Sequence, residues 1–294
     1  MIGTAVQASP ARHGPPAVPA RDQFATGQIA FLVAIHLGAA AVLWETTWAA
    51  VGVGFLLYAV FGGLGICVGY HRLLTHRSFK CPRGVEYTLA LLGSFALEGE
   101  PSYWVAQHRQ HHQYPDQPGD PHSARQGFWW SHMLWMIWIP SEESTKDLEK
   151  RYAPDLLRLP FYRWLGRLSI WPSMALAVLL FLAGGWPFVV WGMGIRLVVC
   201  YHATWFVNSA SHRFGYKNFR LQDLSTNCWW VALLAYGEGW HNNHHAFPTS
   251  ARHGLRFWEV DLSYAFIRSL QALGLAWDVQ TPPASKLQFS PHSS

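Results

Sequence analysis

The sequence predicts an all-α integral membrane protein: four transmembrane helices in two hairpins, with a cytoplasmic helical cap that carries a His-rich di-metal site. Three observations predict it. Half of the 294 residues are hydrophobic and only 13% are charged, against roughly 25% charged in an ordinary soluble domain. Four apolar stretches each come near the roughly 20 residues needed to cross about 30 Å of hydrocarbon. The chain also holds 16 His, concentrated in short boxes outside those stretches. Its 17 Trp fit the same class, because indole favours the membrane–water interface.

Residues 1–25 are rich in Pro, Ala and small polar residues and read as a disordered tail. They do not resemble a signal peptide, since no small-residue cleavage site ends the apolar stretch that follows. A membrane domain is expected over 26–277, with spans at about 27–44, 47–70, 168–185 and 187–207. The connections at Glu45–Thr46 and Gly184–Trp186 are very short, so the spans pair into hairpins. Hairpins return the chain to its starting side. The cap segments 71–167 and 208–277 therefore share one side with both termini. Lys and Arg lie in the tail, the long loop and the C-terminal part, and the hairpin tips have none. By the positive-inside tendency the shared side is cytoplasmic. The stretch Tyr87–Leu97 is too short to span and is expected to pack on protein or lie in the interface. Arg196 falls inside the fourth span, where a charge must face protein or a polar cavity. Residues 278–294 read as a second loose tail.

The formal net charge is +5, but the basic residues are scattered, with no run that suits nucleic acid. The four Cys form no CxxC pair, so neither a disulfide framework nor a thiolate metal site is expected.

The histidines carry the chemistry. HRLLTH supplies His71 and His76, HRQHH supplies His108, His111 and His112, and HNNHH supplies His241, His244 and His245. NSASH adds Asn208 and His212. Positions i, i+3 and i+4 share a helix face, so each HxxHH is expected to present three imidazoles to one point. His71 and His76 are five apart, about 140° around an ideal helix, and converge only if the helix ends or bends between them. Nine His give two metals four or five nitrogens each, and Asn208 completes one sphere directly or through a water. Imidazole suits iron, copper, nickel and zinc, so ligand type does not choose the metal. Asp116, Asp120, Glu98, Glu238 and Asp223 are the acids available to orient the rings. His13, His36, His122, His132, His202, His253 and His292 are left outside the set. A single HxxHH is a weak signal; three boxes and an NxxxH on one predicted side are a specific one.

With these residues in view, the sequence resembles the membrane-bound fatty acyl desaturases, in particular the stearoyl-type and bacterial branch. The resemblance covers about residues 50–260. It rests on HRLLTH, WVAQHRQHH, GDPHSARQGFWWSH, RLVVCYHATWFVNSASH and GEGWHNNHHAFP in that order. It implies two iron ions, replaceable by zinc in purified protein, on His71, His76, His108, His111, His112, His212, His241, His244 and His245. Asn208 matches a position that holds a water on one iron. The implied activity is that of an oxidoreductase, an O2-dependent acyl-CoA or acyl-lipid desaturase. It places a cis double bond, Delta-9 in this branch, in a saturated chain and draws two electrons from an external donor. The chain has no HPGG motif and no rubredoxin-like CxxC, so the donor is a separate ferredoxin or small haem protein with its reductase. Ala59, Gly62 and Gly63 match the part of the second span that closes the substrate tunnel, with close helix packing as the alternative. Arg196 also matches a family position, structural or tunnel-related, and Trp104 is expected at the tunnel. Ala106 and Gln107 replace the Arg–Asp pair by which stearoyl-CoA enzymes hold the CoA head group, so CoA and a membrane glycerolipid both stand as carriers.

Two other classes use similar features. A membrane di-iron hydroxylase or alkane monooxygenase shares the histidine logic, but NSASH and GEGWHNNHHAFP favour the desaturase. A metal transporter or sensor needs ligands along an intramembrane path, whereas these His gather at one face.

Overall fold

The computed structural model of the protein describes residues 23–168 and 170–289. Most of the predicted N-terminal tail, residues 1–22, and the last five residues of the C-terminal one lie outside the described residues. Strand β1 (Gln23–Phe24) precedes α1 (Thr26–Ala40) and α2 (Trp48–Tyr58), and α2 continues into a π-helical segment, Ala59–Thr75. The cap follows, with α3 (Arg83–Ser94), α4 (Pro101–Gln113), α5 (Phe128–His132), strand β2 (Trp138–Ile139), α6 (Glu142–Tyr152), α7 (Pro154–Leu157) and α8 (Pro160–Leu168). Then come α9 (Trp171–Val189), a π-helical turn at Val190–Ile195, α10 (Arg196–Ser209), α11 (Trp229–Leu234), α12 (His241–Ala246) and α13 (Leu262–Ala272).

Among the described residues, three helices are long and apolar enough to cross a membrane: Thr26–Leu43, Trp48–Thr75 and Trp171–His212, with mean hydropathy 1.8, 2.2 and 2.0. Where the sequence has a third and a fourth apolar stretch, the structure has one 42-residue run. That run is interrupted at Gly184 and Gly185, whose backbone angles are not helical. Gly185 has φ +66°, a conformation that costs glycine least. Trp44 and Trp48 beside one connection and Trp186 beside the other are exposed, as interfacial indoles are. Trp191 donates from Nε1 to Thr46 Oγ1 at 3.1 Å and ties the first connection to the π-helical turn that follows the second.

The π-helical segment resolves the awkward spacing of HRLLTH. Its main-chain bonds reach five residues, as from His76 N–H to the His71 carbonyl at 3.1 Å. Residue i+5 therefore returns over residue i. No sharp bend is needed: the turn is widened, and His76 sits at its end. Helix α3, the stretch too short to span, packs on this segment. Gly65 lies against the main chain of Gly93, and the Tyr70 ring covers Gly93, so neither glycine has room for a Cβ.

The main core lies where the π-helical segment meets α3, α4 and α13, around Val68, Tyr70, Leu89, Val105 and Ile267. A smaller one joins α1 to α10 through Leu32, Ile35, Leu197, Tyr201 and Trp205. Strands β1 and β2 pair antiparallel, with Phe24 opposite Trp138. Residues 278–289 run along the cap: Gln280 N–H donates to the Ser78 carbonyl and its own carbonyl accepts from Ala251 N–H, each at 2.8 Å. All four Cys are free thiols.

Candidate metal centre

Each histidine box sits at an element end that faces the same interior point. His71 and His76 close the π-helical segment, His108, His111 and His112 lie on the last turns of α4, and His212 ends the short turn after α10. His241, His244 and His245 make up most of α12. That helix is short, and its two asparagines fix it. Asn243 is buried, accepts from Asn218 and Asn227, and donates to Glu259 and the His253 carbonyl. Asn242 brackets Phe219, accepting from its N–H and donating to its carbonyl.

The nine imidazoles form two groups. His71, His76, His108, His112 and His244 have ring nitrogens within 4.8 Å of one another, and so do His111, His212, His241 and His245. The expectation that each HxxHH points three rings at one metal is corrected. His108 and His112 go to the first group and His111 to the second; His241 and His245 go to the second and His244 to the first. Adjacent helical residues diverge by about 100°, so only the i, i+4 pair shares a centre and the third ring turns to the other.

The spacing fits a cation. Nε2 of His244 is 3.2 Å from that of His71 and 2.9 Å from that of His112, and His112 is 3.1 Å from His108. In the second group, His111–His245 and His241–His212 are 3.3 and 3.1 Å apart. Ligands about 2.0–2.1 Å from one metal stand about 2.8–3.4 Å apart at right-angled to tetrahedral geometry. His111 and His245 turn their Nδ1 atoms to carboxylates at 3.0 Å, so in the neutral rings both Nε2 atoms carry lone pairs. Two such nitrogens at 3.3 Å repel unless a metal ion or a proton lies between them. The buried Nε2 of His76 has no protein partner. Burial first, then neighbouring imidazoles, pushes the pKa of His76, His108, His112, His241 and His244 well below the ordinary histidine value. Neutral rings are the form that binds metal.

Four of the five anticipated acids orient rings. Glu238 lies 2.8 Å from His71 Nδ1, Asp120 3.0 Å from His111 Nδ1, Asp116 2.9 Å from His212 Nδ1 and Asp223 3.0 Å from His245 Nδ1. Burial opposes ionisation of Asp116, but the hydrogen bond and charge of His212 hold its carboxyl at about 2. Against the same opposition from burial, Arg72 chiefly, then His71 and His253, hold Glu238 well below the usual range. Glu98 meets no ligand ring. It accepts from Thr204 Oγ1 at 2.8 Å, Trp104 Nε1 at 3.1 Å and Cys200 Sγ at 3.5 Å, and burial pushes its pKa up to about 7.

Three residues outside the predicted set join this shell. His253 Nδ1 is 2.9 Å from Glu238, and its ring lies 4.4 Å from that of His244. His122 stacks on His111 at 4.5 Å beside Asp120. Arg72, within HRLLTH, is fully buried and donates to Glu238, Asp261 and the Ala251 carbonyl. The GDPH string signalled His122 by its closeness to Asp120; His253 stands alone in sequence and carried no signal. His36, His202 and His132 form a separate hydrogen-bonded row that ends at Ser209.

A cavity of about 290 Å³ runs to His71 and His108. Its walls are mainly apolar and aromatic, with Trp104, Asn208 and Glu98 among them. Gln28 on α1 and Trp138 and Ile139 on β2 also line it. Trp104 stacks on His108, ring centres 5.2 Å apart. The other anticipated tunnel residues do not line this cavity. Gly62 faces Tyr58 and Cys200, Gly63 faces the Tyr236 ring, and Ala59 is half-buried on the same segment. The reason is steric: the Tyr58 and Tyr236 rings, 5.2 Å apart, fill the space these small residues leave. Arg196 is buried against protein instead, donating to the Gly192 and Phe95 carbonyls under the Phe61 ring.

Comparison with known proteins gives a consistent picture. A family model described as fatty acid desaturase matches residues 46–272. An sn-1 stearoyl-lipid 9-desaturase of Anabaena variabilis is 51% identical over 252 residues, covering 85% of this chain and 92% of that protein. An sn-2 palmitoyl-lipid 9-desaturase of a Nostoc species is 48% identical over 256 residues, 87% of this chain and 90% of that protein. An acyl-CoA 5-desaturase of Anemone leveillei is 48% identical over 240 residues, 80% and 73% of the two chains.

Proposed function

The chain belongs to the fatty acid desaturase family, and from that premise we propose that it places a cis double bond at position 9 of a saturated acyl chain on a membrane glycerolipid. The reaction removes one hydrogen from each of two neighbouring methylenes; with O2, two electrons and two protons it yields the alkene and two waters. A pair of iron ions, held by the nine imidazoles, supplies the O2 reduction and C–H cleavage when bound. The electrons come from a separate ferredoxin or small haem protein.

The protein residues do the rest. His71, His76, His108, His112 and His244 hold one ion, and His111, His212, His241 and His245 the other, with Asn208 placing a water. Glu238, Asp120, Asp116 and Asp223 fix the ring orientations and keep Nε2 inward. Trp104 forms a cavity wall against His108 and aligns the chain beside the centre, while the apolar lining excludes bulk water. Ala59, Gly62 and Gly63 act behind Tyr58 and Tyr236, and Arg196 anchors the fourth span to the loop at Phe95. The break at Gly184–Gly185 makes four spans, with the centre and both termini on the cytoplasmic side.

One observation carries the choice of carrier. No Lys or Arg lines the cavity among the described residues, and its lining includes β2 and Gln28, near the start of the first span. A CoA head group brings several phosphate charges and needs cations; a glycerolipid chain needs only apolar walls and lateral access. The two cyanobacterial relatives are named for lipid-linked substrates.

The test is expression of the wild-type chain and of His244→Ala in a host without such a desaturase, with a ferredoxin system supplied. Lipid fractions are followed by gas chromatography–mass spectrometry, with double bonds located by disulfide adducts. A cis-9 monoene that appears first in glycerolipid, and not in the variant, is expected. First appearance in acyl-CoA would overturn the carrier, and a hydroxylated product the reaction.

A further inference from the structure

The two histidine groups are alike in ligand chemistry but not in charge. In the four-histidine group, three of the rings each meet a carboxylate of their own: Asp120 on His111, Asp116 on His212 and Asp223 on His245. The other partners of these carboxylates are main-chain N–H groups, the Ser225 hydroxyl and His122. In the five-histidine group, among the described residues, a carboxylate meets only His71. That carboxylate, Glu238, is shared with the guanidinium of Arg72 at 3.0 Å and with His253 at 2.9 Å.

The cations on the two sides are not equivalent either. Arg72 is fully buried, so its charge acts at low dielectric. On the four-histidine side, Arg125 and Lys217 donate to the main-chain carbonyls of Asp116 and Asp223, each at 2.9 Å. Arg125 is exposed and Lys217 half-buried, so water and salt weaken their fields, and both face main-chain oxygens rather than the carboxylates. A divalent ion among His111, His212, His241 and His245 therefore meets three anions through its ligands. An ion among the other five rings meets one anion through its ligands, and that anion shares its charge with Arg72, which also pairs with Asp261. The fifth imidazole adds a neutral dipole, not a charge, and an anion behind a ring also makes that ring more basic.

The geometry points to an ordered pair of subsites: His111, His212, His241 and His245 bind the first divalent ion and hold it more tightly, while His71, His76, His108, His112 and His244 bind second and release first. This rests on the two-metal reading given above.

The test uses the full chain in detergent, stripped with a chelator and titrated with Co2+. Binding is followed by visible absorption, and the metal retained after gel filtration by elemental analysis. Two classes of bound Co2+ are expected in the wild-type protein. His244→Ala keeps the tighter class and His245→Ala the weaker. Asp223→Asn weakens the tighter class by about 10- to 100-fold, the usual cost of an outer partner, and Glu238→Gln leaves it unchanged. Equal affinities, or a tighter class lost in His244→Ala and kept in His245→Ala, overturn the order and leave a two-metal centre standing. Fewer than two Co2+ per wild-type chain overturns the two-metal reading and the order with it. Should either alanine variant fail to fold, Asp223→Asn against Glu238→Gln decides: loss of the tighter class in the second alone refutes the order.

Discussion

Replacing Arg72 with methionine removes a buried cation that joins the first histidine box to the third and to α13. The side chain is fully buried and serves three partners: Glu238 at 3.0 Å, Asp261 at 2.9 Å and the Ala251 carbonyl at 2.7 Å. Methionine keeps much of the volume and removes every donor. Breaking a buried ion pair by deleting one partner costs about 3–5 kcal/mol, because the other charge stays buried. The orphaned carbonyl adds about 1–3 kcal/mol. The sum is about 4–8 kcal/mol, and in a domain of this size each kcal/mol moves Tm by about 2–4 °C. The Arg72→Met protein should therefore melt at least about 8 °C below wild type, followed by tryptophan fluorescence in detergent. Arg72→Lys keeps the charge but not the planar fork, and should fall between the two. A methionine variant within about 3 °C of wild type would refute the reasoning, since it would mean that the two carboxylates need no buried counter-charge.

Other consequences follow from burial. His245, lowered to about 4 chiefly by burial, and its neighbours take up protons in the unfolded chain below about 6.5 but resist them when folded. The unfolded state then binds more protons, so metal-free protein should be fully stable above about pH 6.5 and lose stability as the pH falls toward about 4, as thermal melts across that range will show. Glu98 has the opposite sign: raised to about 7 by burial, it stays protonated in the fold while the unfolded chain ionises from 4.5. Its contribution falls as pH rises between those values, and Glu98→Gln should remove that slope from a melting series. A Cβ at Gly65 would meet the Gly93 main chain, so Gly65→Ala should cost about 1–3 kcal/mol. Gly84→Ala, with open space around it, should cost nothing and serves as the control in the same denaturation assay.

Which of these features could be read in the sequence depends on how local their cause is. The apolar helices were legible because bilayer thickness acts on each stretch of chain separately, although the third and fourth stretches form one interrupted run. The nine histidines were legible because helical spacing is local too. The division of each HxxHH between two groups was not, for it needs a second helix to approach from the other side. The π-helical widening was not either: HRLLTH fits an ordinary helix end equally well until α3 packs against Gly65 and Gly69. Arg72 and His253 were missed because their partners lie 166 and 15 residues away at Glu238, and no short-range pattern marks such a pair. Glu98 was assigned to the ring-orienting acids on proximity to a box, yet its neighbours are set by where α10 brings Thr204 and Cys200.

The split boxes also decide how the centre responds to strain. His111 and His112 are adjacent on α4, His244 and His245 adjacent on α12, and each pair serves both groups. Successive Cα atoms are about 3.8 Å apart, so two peptide units fix the spacing between the groups more firmly than any side-chain contact could. A shift of α4 or α12 must move both groups together. His71 and His76 belong to one group alone and His212 to the other, so the π-helical segment and the end of α10 can adjust each group separately. The orienting acids Asp116, Asp120 and Asp223 come from loops, and Asp116 holds a left-handed φ of +56° that a packed helix would not tolerate. The fold thus places the shared ligands on rigid helices and the group-specific acids on loops, so the distance between the two groups is fixed while the charge around each is set independently.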